Sequence, residues 1–151
     1  MSADRTKHLE FIQNAISRMA SNSFLLKGWT VAITAALFAL AAKDSGRRFA
    51  VLALFPSLAF WGLDAYYLRQ ERLFRRLYDA LRTLSDEEYE KADPFSMSTA
   101  NHSREVAGWF RTLWAPPVIG LHGVVVAAVL FVIAVLDRRG DGSTGLLQFP
   151  L

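Results

Sequence analysis

Residues 24–43 read FLLKGWTVAITAALFALAAK. A helix of this length and composition spans about 30 Å, the thickness of a bilayer's hydrocarbon core. Lys27 alone interrupts the apolar character before the closing Lys43. An ammonium group at that depth is costly unless its head reaches water or a partner. The stretch therefore reads as a first membrane span, residues 24–42, in which Lys27 needs a neighbour.

The rest of the chain repeats the pattern. Its 151 residues are 52% hydrophobic with a mean hydropathy of +0.20, and the apolar residues come in blocks. A second block covers residues 49–68 and is long enough to cross only if Asp64 is counted inside it. A third covers 116–136 and opens on Pro116-Pro117, which suit the first turn of a helix. Cleavage of the first block as a signal peptide at Ala39-Leu40-Ala41 is disfavoured, because 23 residues of helix-like sequence precede it. There is no cysteine, hence no disulfide, thiolate nucleophile or Cys-based metal site.

Six residues, 43–48, join the first two spans, which makes them a helical hairpin. Twelve of the seventeen Lys and Arg lie before the first span, at Lys27, or between the second and third. The other five lie in the hairpin turn and the tail. Positive-inside counting predicts the N-terminus in the cytoplasm and the C-terminus outside.

Both hairpin helices are predicted to outrun the bilayer. Leu9, Ile12, Ile16 and Met19 make residues 4–23 an amphipathic helix. It either runs unbroken into the first span or breaks at Ser21-Asn22-Ser23, where a joint and cap could form. Phe74, Leu77, Tyr78, Leu81 and Leu84 continue the second span through residues 69–84, interrupted only by Pro56, with Glu71–Arg75 a favourable pair one turn apart. The two extensions would project ~25 Å as an antiparallel pair; the alternative lays them flat on the membrane. Residues 85–103 read as a polar loop with a short acidic helix, started by a capping box at Ser85 and Glu88 and ended at Asp93-Pro94. Residues 104–115 read as an interfacial helix with a Val106, Trp109, Phe110, Leu113, Trp114 stripe. Residues 137–151 read as a flexible tail. No internal repeat is present.

Counted from the outer end of its own span, each helix carries one ionisable residue at a common depth. Lys27 is 16 residues from Lys43, Asp64 is 16 from Arg48, and His122 is 15 from Asp137, all about 22–24 Å inward. The functional reading of Lys27, Asp64 and His122 is a polar constriction or gate, with His122 able to titrate near neutral pH. In the plainer reading Lys27 snorkels and pairs with Asp64 while His122 bonds a neighbouring helix. Arg69, Arg72 and Arg76 share a cytoplasmic basic face that suits anionic lipid or a nucleotide, or that simply fixes orientation. No metal or cofactor is expected: the three histidines have no ligand spacing, and no phosphate loop or nucleophile motif occurs. The chain reads as non-enzymatic, and its modest charge of +3 beside apolar runs speaks against nucleic acid.

The motifs NSFLLKGW and WGLDAYYLRQERLFR, with DPFSMST, resemble a family of small bacterial membrane proteins of uncharacterised function, most clearly over the first 95 residues. In outline the hairpin also resembles the two-span membrane effectors beside nucleotide second-messenger systems of bacterial antiphage defence. That likeness implies membrane permeabilisation, although this chain adds a third span and has no recognisable nucleotide-sensing domain. The expectation is an all-α membrane protein with three transmembrane helices, the first two a hairpin with long cytoplasmic extensions. Three helices are too few to enclose a path, so a channel or pore-forming effector needs a homo-oligomer, helped by the small Ala32, Ala35, Ala36, Ala39 and Ala42. The alternative is a non-conducting scaffold whose cytoplasmic hairpin binds a protein partner.

Overall fold

The computed structural model describes residues 3–44, 47–91 and 95–144. Six α-helices occur among them: α1 Ala3–Asp44, α2 Arg47–Leu52, α3 Leu54–Thr83, α4 Asp86–Lys91, α5 Trp109–Leu113 and α6 Pro116–Thr144, with one 3-10 turn at Ala100–His102. No strand is found among the described residues. Three helical stretches, Ala3–Lys43, Arg47–Thr83 and Pro116–Arg138, are long and apolar enough to cross a membrane. The tip of the hairpin turn (45–46) and the expected stop at Asp93-Pro94 lie outside the described residues.

The open question about α1 resolves as one helix of 42 residues, about twice what a bilayer core needs. Ser21-Asn22-Ser23 lies inside it and caps nothing. The second stretch is interrupted at Ala53, three residues before Pro56. Proline explains the offset. It lacks the N–H that would bond to the Leu52 carbonyl, and its ring crowds that same carbonyl. Helical bonding continues on either side, from Ala53 N–H to Phe49 O (3.1 Å) and from Ser57 N–H to Ala53 O (3.3 Å). Pro56 then sits in the first turn of α3, where a missing donor does no harm.

The chain divides into two compact units, Met1–Leu25 with Leu63–Ala115 and Leu26–Gly62 with Pro116–Leu151. In the first, Leu9, Ile12 and Ile16 of α1 pack against Leu77 and Leu81 of α3 and Tyr89 of α4, with Phe74, Tyr78 and Leu84 around them. The pairing is antiparallel and in register. The 18 steps from Arg5 to Ser23 are matched by the 18 from Asp64 to Arg82, because Arg5 reaches the Arg82 carbonyl and Ser23 reaches Asp64.

The second unit buries different chemistry: Thr30, Thr34, Ala41, Ala50, Ala53, Ser57, Val118, His122 and Val129. Its large apolar side chains, including Trp29, Leu52, Phe55, Val124 and Phe131, point outward. Small residues let helix backbones approach, and hydroxyls bond where they meet: Thr34 Oγ1 and Ser57 Oγ are 3.3 Å apart, and Ser57 also donates to Ala53 O (2.7 Å). At one end, Arg47 Nε of α2 meets Asp137 Oδ1 of α6 at 2.6 Å.

Two expectations need correction. The interfacial helix proposed for 104–115 shrinks to Trp109–Leu113. Gly108 sits at its N-cap in an extended conformation (φ −60°, ψ 162°), and the residues before it are held in a turn by Glu105 N–H to His102 O (3.0 Å). Its buried residue is Thr112, while Phe110 within it and Trp114 just after it are exposed. The flexible tail expected from 137 is helical to Thr144, since Gly140 and Gly142 only weaken a helix; residues 145–151 lie outside the described residues. Ala32, Ala35, Ala36, Ala39 and Ala42 are exposed within the chain, and the buried α1 stripe runs through Thr30, Thr34 and Ala41.

Candidate functional site

Asp64 lies on α3 and is fully buried, as is its neighbour Ala65. The helical register sets it against the α1 stripe that starts at Leu9. Fourteen residues beyond Leu9 that stripe presents Ser23, whose hydroxyl donates to Asp64 Oδ1. A buried carboxylate needs donors, and a serine on the facing helix supplies one. Lys27 follows Ser23 by one turn of α1 and is half-buried. His122, on α6 of the second unit, is fully buried on the face that also carries Val118 and Val129. Of the three residues singled out by depth, Asp64 thus belongs to the first compact unit, and Lys27 and His122 to the second.

Ser23 was missed as a site residue. Three consecutive polar residues suggest a helix end when read locally. The available signal was its place seven residues after Ile16, on the buried stripe.

Outside the apolar stretches, a second set of side chains closes the end of the first unit. Arg5 is buried, and its guanidinium donates to Leu81 O (3.0 Å), Arg82 O (2.7 Å) and Asp86 Oδ1 (3.2 Å). It therefore satisfies carbonyls that the end of α3 leaves without helical partners. His8 is buried between Tyr89 Oη (3.1 Å from Nδ1) and Ser96 O (3.1 Å from Nε2). A carbonyl only accepts, so Nε2 carries a hydrogen and donates to Ser96 O, while Nδ1 and the tyrosine hydroxyl share the second hydrogen bond. Phe95, with a left-handed φ of 63°, stacks its ring near His8 (5.6 Å) and Phe11 (6.2 Å). His8 is thus a clamp for the 95–96 segment. Among the described residues, no group of three or more His, Asp or Glu could hold a metal.

No family model, curated protein or solved structure matches the chain. The site must be read from its own chemistry.

The Ser85 capping box forms as expected. Ser85 N–H and Oγ both donate to Glu88 Oε2 (2.9 Å each), and Glu88 N–H donates back to Ser85 Oγ (3.3 Å). These donors hold the Glu88 carboxyl below its ordinary range. Glu71–Arg75 also forms, at 2.8 Å. Arg69, Arg72 and Arg76 share one side of α3, and Arg72 and Arg76 border a groove of about 470 Å³ whose other wall includes Val106 and Ala107.

Proposed function

We propose that this protein is an oligomeric membrane protein of the bacterial inner membrane that acts as an ion channel or pore-forming effector, its N-terminus cytoplasmic and its C-terminus outside. The observation that carries the reading is the complete burial of Asp64 and His122 on helices whose large apolar side chains face outward. Ionisable groups within a span face protein or a water path and mark function by default. Residue counting places Lys27, Asp64 and His122 at one level, and the path is proposed to cross it. Support for that counting comes from the Arg47–Asp137 pair, which holds the outer ends of α2 and α6 together. Because both groups are shielded from water in a single chain, this arrangement corresponds to a shut state. Conduction would rehydrate them between subunits. The exposed alanines of α1 offer a close-packing face for those subunits. Antiphage defence, with a nucleotide second messenger or protein as stimulus, is the setting that the architectural resemblance implies.

Flux from liposomes holding purified protein tests the proposal. Selective conductance that changes in Lys27→Ala or Asp64→Ala is the expected result. An intact oligomer that passes no ion at any pH or voltage would overturn it.

A second reading has its own observation. The first unit has an apolar core of the kind that forms in water, which suits a scaffold whose extramembrane helices bind a protein partner. That reading keeps the oligomer and predicts no flux.

A further inference from the structure

Just beyond residue 68, α3 turns one side rich in positive charge toward the groove described above. Arg69, Arg72 and Arg76 are spaced three and four apart, so they are neighbours on the helix surface. Nearby charges are already engaged elsewhere. Arg75 is held by Glu71 through both Nε and Nη2 (2.8 Å each). Asp79 takes Arg82 at 3.1 Å, and Glu105 faces His102 at 3.1 Å. Arg72 and Arg76 have no hydrogen-bond or ion-pair partner among the described residues. The buried Nε of Arg69 has no acceptor either. Like charges one turn apart repel, and the two carboxylates that also line the groove, Asp79 and Glu105, are already paired with Arg82 and His102.

We propose that this groove binds a phosphate group, supplied by an anionic lipid headgroup or by a soluble phosphate compound. Two guanidinium forks on adjacent turns match the oxygens of one phosphate. The volume of about 470 Å³ lies within the range of roughly 300–1,000 Å³ usual for small-ligand sites. Its position favours contact with both sources. With the span ending at residue 68, Arg69, Arg72 and Arg76 stand about 1.5, 6 and 12 Å beyond it. The headgroup layer is roughly 5–8 Å deep, so Arg69 and Arg72 reach lipid phosphate and Arg76 reaches the aqueous edge. Val106 and Ala107 give the site an apolar wall. The site stands whether or not the protein conducts.

The test uses the full chain in uncharged detergent, titrated calorimetrically with two probes. These are short-chain phosphatidylglycerol, with phosphatidylcholine of equal chain length as reference, and inorganic pyrophosphate. An Arg72→Gln/Arg76→Gln variant should lose at least about tenfold in affinity, the loss of one charge-assisted hydrogen bond or more. An Arg18→Gln/Lys91→Gln variant removes the same charge elsewhere and should stay within about twofold. Binding of phosphatidylglycerol alone assigns the headgroup, and binding of pyrophosphate assigns a soluble ligand. Wild-type affinity in the arginine variant, equal loss in the control, or no binding of either probe by the wild type would each overturn the site. All four side chains are solvent-facing or half-buried, and unchanged helical circular dichroism verifies that each variant folds.

Discussion

The two halves of α1 are one helix with two kinds of buried face. From Leu9 to Ile16 the face is leucine and isoleucine, packed on Leu77, Leu81 and Tyr89. From Thr30 to Ala41 it is threonine and alanine, in a unit that also buries Ala50, Ala53, Ser57 and His122. Solvent accounts for the change. In water, burying a leucine-sized side chain is worth about 1.5–3 kcal/mol. Lipid is as apolar as leucine, so a span gains nothing by burying one, and helices there associate through close backbone approach and hydroxyl bonds. The outward-facing Trp29, Phe55 and Phe131 are the other side of the same rule. That is the contrast expected of a helix that passes from water into lipid.

The largest effect that probes this contrast is Ile12→Ala. It removes a fully buried side chain from the water-type core and should cost about 2–5 kcal/mol in denaturant unfolding of the purified protein. His8→Phe keeps an aromatic ring but strips Tyr89 and the Ser96 carbonyl of their partner, a loss of about 1–3 kcal/mol. Adding Tyr89→Phe should recover part of it, and thermal melts of the single and double variants report the difference. Thr34→Val, isosteric and within the second unit, should cost only about 0.6 kcal/mol. If Thr34→Val destabilised the protein as much as Ile12→Ala, the two halves would be held by one force and the contrast would collapse.

The smallest effect concerns α4. Glu88 is held below its ordinary pKa of 4.5 by the donors of Ser85. A depressed carboxyl favours the folded state at pH above its unfolded value, and that contribution disappears as pH falls through the folded value. The cap is therefore at full strength at neutral pH and lost in acid. Glu88→Gln should abolish this pH dependence, read as amide exchange at Glu88 between pH 7 and 3.

Much of this was legible in the residues alone. The three apolar helices, the Leu9–Ile12–Ile16 stripe, the Glu71–Arg75 pair and the Ser85 capping box all follow from spacing. What spacing missed has a common cause. Inside a span every face is apolar, so periodicity carries little contrast, and Thr30, Thr34 and Ser57 look no more buried than Ala32 or Ala35. The offset of the break from Pro56 to Ala53 was readable in principle from the carbonyl that proline crowds. The shortening of α5 depended on Gly108 and on the turn bond between Glu105 and His102, which local propensity does not specify.

By itself the sequence determined how many helices are long and apolar enough to cross a bilayer, because length and hydropathy act locally along the chain. It determined the Leu9–Ile12–Ile16 stripe too, since water sorts side chains by polarity. Only the tertiary structure decided that α1 is unbroken, that Ser23 donates to Asp64, that Arg5 closes the end of α3, and that Arg72 and Arg76 face a groove whose carboxylates, Asp79 and Glu105, are paired elsewhere. Those outcomes depend on which helix lies opposite which, and partners 41 or 77 residues apart are set by packing rather than by neighbours in the chain.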